Sequence, residues 1–100
     1  MSTHYLTEAK KSELKATAEA LLAPNKGILA ADEAKPAMGQ RLASINVENT
    51  EENRRRYRQI IFTTPKSDLE AISGVILQHE TCYQKTDQGI SFLDLLKVNI

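Results

Sequence analysis

The sequence predicts an α/β fold, and three observations lead to it. Two short apolar runs, Gly27 to Ala31 and Ile72 to Leu77, each break off abruptly into polar residues, Asp32-Glu33 and Gln78-His79-Glu80. Strands buried on both faces of a parallel sheet read this way. Segments with helical spacing flank and separate the two runs, giving the order helix, strand, helices, strand, helix. Right-handed crossovers would then lay the strands parallel with the helices outside.

Each element has its own signals. The first helix is expected from Thr7, whose hydroxyl can cap it, to about Leu22, with Leu14, Ala18, Leu21 and Leu22 on one apolar stripe. Pro24 ends it by pushing Ala23 out of helical geometry, and Asn25-Lys26-Gly27 is turn composition. After the first strand, Pro36 suits a first helical position. Met38, Leu42 and Ile45 follow at i, i+4 and i+7 along a short helix that ends near Ser44. Asn49 is expected to cap the next helix, with Glu52 reaching back to it. Tyr57, Ile60, Ile61 and Thr64 would form the buried stripe before Pro65 stops the helix. Beyond the second strand Gly89 marks a loop, and the pair Ser91 and Asp94 opens a helix from Phe92 to Val98 with Phe92, Leu95 and Leu96 on one face.

Composition narrows the function classes. One hundred residues make one domain at most. Thirteen Lys plus Arg balance thirteen Asp plus Glu, which removes the field that would draw the chain to nucleic acid or to an anionic membrane. The longest apolar stretches run four or five residues, far short of a membrane span. Met1-Ser2-Thr3-His4-Tyr5 has neither the basic nor the apolar region of a secretory signal, and a lone Cys82 cannot form an intramolecular disulfide. A reducing cytoplasm is the expected location.

Several residues carry chemistry, each with a plainer reading beside it. Asp32 stands just past the carboxyl end of a buried strand, where folds of this class place active-site groups; it could equally favour the positive end of the following helix. Arg54, Arg55, Arg56 and Arg58 could offer bidentate donors to a phosphate. Glu51 and Glu52 lie within one helical turn, and surface pairing is the simpler reading. Arg41 leads away from Asp32 and either faces an anionic substrate or points to solvent. His79 and Glu80 do not make up a metal's ligand set, His4 lies near a terminus, and Cys82 reads as a small buried or partly buried thiol. The four glycines are scattered, so no phosphate-binding fingerprint is present.

The stretch Gly27-Ile28-Leu29-Ala30-Ala31-Asp32-Glu33 resembles class I fructose-bisphosphate aldolase. So do Glu48-Asn49-Thr50-Glu51-Glu52-Asn53-Arg54-Arg55 with Tyr57-Arg58-Gln59, Gly74-Val75-Ile76-Leu77 with His79-Glu80-Thr81, and Tyr83-Gln84-Lys85. These segments cover most of the chain from Lys26 to Lys85 in family order. The resemblance implies that residues 1–100 form a single partial domain, the amino-terminal part of a (β/α)8 TIM barrel whose full-length family form is usually a homotetramer. It implies a glycolytic lyase that reversibly cleaves fructose 1,6-bisphosphate to dihydroxyacetone phosphate and glyceraldehyde 3-phosphate through a lysine Schiff base, with no metal and no cofactor. Asp32 matches the family's catalytic aspartate, Arg41 a substrate-binding arginine, and Arg54 the first arginine of the signature helix, carried over as substrate-binding.

Two departures stand out. Where the family commonly has Ser-Thr-Gly-Ser after the Asp-Glu pair, this chain has Ala34-Lys35-Pro36-Ala37, which removes those hydroxyl donors. A Schiff-base lysine needs a desolvated or cation-crowded pocket to lower its pKa, and no lysine lies within either strand. A complete barrel takes about 250 residues, so the chain by itself is expected to be inactive. The alternative is a catalytically inactive truncated or splice product whose helices bind a partner protein.

Overall fold

In a computed structural model that describes residues 6–100, both apolar runs are strands. The expectations placed on Met1-Ser2-Thr3-His4-Tyr5 lie outside the described residues. Helix α1 (Glu8–Leu21) leads to strand β1 (Gly27–Ala31), helices α2 (Lys35–Ala43) and α3 (Glu51–Phe62), strand β2 (Ile72–Leu77) and helix α4 (Phe92–Asn99). Two 3-10 turns, Lys66–Leu69 and His79–Tyr83, precede and follow β2. The strands pair in parallel, with Ile28 opposite Gly74 and Ala31 opposite Leu77. A register irregularity between Gly27 and Ile28 leaves Ser73 unmatched, and its hydroxyl donates to the Leu21 carbonyl at 2.6 Å. Parallel strands need a long crossover, which α2 and α3 supply.

The core lies on one side of this small sheet. Ala31, Phe62, Phe92 and Leu96 are buried together, with Leu29, Ile61, Val75, Leu77 and Leu95 packed around them. Phe62 and Phe92 meet edge to face, with ring centroids 5.2 Å apart and planes at 76°. That geometry adds about 1 kcal/mol to their burial. The face expected for α4 is the face it buries, and the Ser91 hydroxyl caps it by accepting from the Asp94 N–H at 3.1 Å.

The other side of the sheet corrects the expectation that both strands are covered on both faces. Residues alternate along a strand, so Ile28 and Ala30 of β1 share a face with Gly74 and Ile76 of β2. Ile28 and Ile76 are 47% and 48% exposed there. Both helices that contribute to the core, α3 and α4, lie on the opposite face. On the open face the end of α1 touches the sheet at Gly74. A Cβ at Gly74 would overlap Leu21 Cδ2, so the absence of a side chain is what lets Leu21 settle there. The remaining α1 stripe finds no cover: Leu14 is 58% and Leu22 is 78% exposed.

Candidate active site

The carboxyl ends of β1 and β2 lie side by side, and helix α3 packs against them with an unexpected face. Of the expected stripe of Tyr57, Ile60, Ile61 and Thr64, all but Ile60 are half-buried, Ile61 against the core, and none is fully buried. The buried residues of α3 are Arg54, Arg58 and Phe62 at i, i+4 and i+8, while Ile60 is 72% exposed. Hydrophobic periodicity misplaces the face because two carboxylates beyond the strand ends, Glu33 and Glu80, make arginines buriable there. A buried guanidinium is tolerated only where it is paired and hydrogen-bonded.

Arg54 reaches Glu80 with a two-pronged contact, Nε to Oε1 at 2.6 Å and Nη2 to Oε2 at 3.1 Å. Its Nη1 donates to Asn49 Oδ1 at 2.9 Å, so every nitrogen of the group is engaged. Arg58 has no solvent exposure; its Nη2 donates to the main-chain oxygen of Glu33 at 2.9 Å and lies 3.6 Å from Glu33 Oε1. Arg58 Nη1 stands 4.0 Å from Glu80 Oε1, so both carboxylates flank it. Arg41 Nη1 pairs with Glu33 Oε2 and donates to the Tyr57 hydroxyl at 3.0 Å, with more than half of its side chain still in solvent. The result is a chain of alternating charge, Arg41, Glu33, Arg58, Glu80 and Arg54, across the two strand ends. The Arg54 guanidinium beside Glu80 holds that carboxyl below its ordinary value, and the charges of Lys35 and Arg58 add to the effect.

Local structure explains why these groups meet. Asn49 was expected to cap α3, but Thr50 does so, its hydroxyl accepting from the Asn53 N–H at 3.1 Å. Asn49 is occupied elsewhere: its amide donates to the Lys35 carbonyl at 3.0 Å while its oxygen receives Arg54. Gly39 on α2 makes this possible, because a Cβ there would stand 2.9 Å from Asn49 Nδ2. Glu52 does not reach back to the cap. It binds Arg55 at 2.7 and 2.8 Å and Arg56 at 3.0 Å, and these contacts draw its pKa down to about 2. For Arg55 and Arg56 the surface-pairing reading therefore holds. Arg55 also donates to the Lys85 carbonyl and to Asp87, tying the loop after β2 to α3.

Asp32, the candidate catalytic group, extends β1 on the sheet's open face and is exposed. Its side chain makes no hydrogen bond or ion pair among the described residues. The next segment carries the departures noted above. Ala34 occupies the cap position of α2 and has no side chain to cap with, and Pro36 falls at the second helical position instead of the first. Of the three sequence-level candidates, Arg41 and Arg54 join the charge network, through Glu33 and Glu80 respectively, and Asp32 stands beside it. Arg58, Glu33, Glu80, Asn49 and Tyr57 were not anticipated in this role. The i, i+4 spacing of Arg54 and Arg58 was visible, but only the topology brings the two acids to it. Cys82 is half-buried, as expected. No cluster of three metal-ligating side chains occurs among the described residues.

The chain is similar to known proteins along most of its length. The family model described as fructose-bisphosphate aldolase class I, glycolytic, matches residues 13–100. The chain is 54% identical over 94 residues to fructose-bisphosphate aldolase of Drosophila melanogaster and 53% identical over 92 residues to fructose-bisphosphate aldolase B of Homo sapiens. These alignments cover 94% and 92% of this chain but 26% and 25% of the relatives. A solved structure of the Plasmodium falciparum enzyme, in complex with TRAP and a small-molecule inhibitor, superposes with a TM-score of 0.84 at 40% identity. It covers 94% of this chain and 27% of its own. The chain thus spans about a quarter of the length of the proteins it matches.

Proposed function

From the premise that the chain belongs to the class I fructose-bisphosphate aldolase family and forms the amino-terminal part of its barrel, we propose that it supplies one wall of an aldol-cleaving site. The reaction is the reversible cleavage of fructose 1,6-bisphosphate into dihydroxyacetone phosphate and glyceraldehyde 3-phosphate, in the cytoplasm, within a homotetramer of complete barrels. None of the lysines lies on β1 or β2, so the Schiff-base nucleophile comes from another part of the barrel.

The observation that carries this reading is Asp32, without a side-chain partner among the described residues, at the mouth of a parallel strand and next to a cation-rich network. A carboxylate left in this state can accept and return a proton during Schiff-base formation, and orient the substrate hydroxyl that loses its proton when the carbon-carbon bond breaks. Arg41 keeps half of its surface free, so its guanidinium can take a substrate phosphate while Glu33 and Tyr57 hold its position. Arg54 enters substrate binding by exchanging Asn49 or one prong of Glu80 for a phosphate oxygen. Helix α2 offers a free main-chain N–H at Ala37 and the charge of Lys35 in place of the missing hydroxyls.

The test is a complete barrel made by joining residues 1–100 to the remaining three quarters of the Drosophila relative, assayed for fructose 1,6-bisphosphate cleavage. The graft should turn over, and Asp32→Asn should lower kcat by roughly 100-fold or more while the protein stays folded. A graft that folds without turnover, or an Asp32→Asn form that keeps its kcat, refutes the proposal. The 100-residue chain assayed alone should show no turnover.

A further inference from the structure

The side chain of Asp32 is unsupported, so its position is set by the main chain that carries it. That main chain leaves β1 at Ala31 and enters α2 at Lys35, and the three residues between them belong to neither element. Within this span the carbonyl of Glu33, the residue after Asp32, is held from outside by Arg58 Nη2 at 2.9 Å. The donor itself has little freedom to move. Arg58 has no solvent exposure, is flanked by carboxylates at 3.6 and 4.0 Å, and sits on α3 one turn from Phe62 in the core.

We infer that Arg58 is a positioning residue for Asp32, clamping the strand-to-helix junction through the Glu33 carbonyl. The inference rests on the aldolase reading for its catalytic consequence, and on the geometry alone for its structural one. A planar guanidinium suits the task because it donates to the Glu33 carbonyl while two carboxylates stand at 3.6 and 4.0 Å around the same buried group. A lysine ammonium on a flexible stem has no such fixed fork. Glu33 and Glu80 make the burial tolerable, and each keeps a second arginine, Arg41 and Arg54, if Arg58 is removed. Displacing a catalytic group by about 1 Å costs on the order of 100-fold in rate.

Two readouts in the grafted complete barrel test this, each comparing Arg58→Lys and Arg58→Met with Arg56→Met, an exposed neighbour on the same helix. The first is amide hydrogen exchange. Residues 32–36 should exchange at least tenfold faster in both Arg58 variants, with α4 and β2 unchanged, while Arg56→Met leaves every segment as it was. The second is steady-state kinetics, where kcat should fall between 10- and 100-fold with KM within about twofold. Exchange that is unchanged at residues 32–36, or raised equally throughout the chain, overturns the inference, as does an unchanged kcat in a folded Arg58→Met protein. If the parent graft folds without turnover, the aldolase reading fails and the exchange experiment still decides whether Arg58 clamps the junction.

Discussion

Removing the Glu80 carboxylate should destabilise the fold by about 3 kcal/mol, far more than the loss of a surface ion pair. Arg54 and Glu80 have side-chain exposures of 8% and 18%, and they meet through two hydrogen bonds of 2.6 and 3.1 Å. Glu80→Ala strands Arg54 with Asn49 as its sole remaining partner and takes one of the two flanking carboxylates from Arg58. Breaking a buried pair from one side costs about 3–5 kcal/mol. The partial exposure of Glu80 and the surviving Asn49 contact place this case at the lower end. In urea unfolding of the grafted barrel, with a slope of about 3 kcal/mol/M, the midpoint should drop by roughly 1 M. The double variant Arg54→Met/Glu80→Met removes both charges together and should lie nearer the parent than either single variant does. The pH dependence follows from the same pair. Glu80 titrates below its ordinary value of 4.5 in the folded state, so its contribution is complete above that pH and is lost as pH falls through the lower folded value. Glu52 and Asp87 are shifted in the same direction, and the parent-minus-variant difference isolates Glu80. Singles that cost under 1 kcal/mol, or a double variant whose cost is the sum of the singles, would show that the pair is a surface bridge and that α3 is not anchored as described.

Two further outcomes are expected. Ala34→Ser should stabilise the barrel by about 1 kcal/mol, because the new hydroxyl can accept from the Ala37 N–H; Pro36 has none to offer, and an unchanged thermal midpoint would count against the cap. Gly74→Ala should cost about 1 kcal/mol by displacing Leu21 from the open face of the sheet. Adding Leu21→Ala should then cost less than it does in the parent, and additive losses would show that the two do not touch.

Much of the fold was legible from local signals. Both strands begin and end where their apolar runs do, α4 starts at its Ser91 cap, and Thr7 caps α1, because caps and continuous apolar runs act over a few residues. The resemblance to the aldolase family rests in part on the two strands, and the family match bears it out. The sequence by itself determined the parallel α/β plan and brought Asp32 to the end of a strand. Only the tertiary structure decided which face of α3 is buried, since the apolar stripe through Ile60 and the arginine stripe through Arg54 and Arg58 compete for that place. The choice turned on Glu33 and Glu80, which lie 21 to 26 residues from those arginines in the chain and come within reach of them only when β1 and β2 pair. Hydrophobic periodicity registers the apolar cost of an exposed isoleucine. It does not register the Coulomb and hydrogen-bond partners that make a buried arginine stable, and those exist only once the chain has folded.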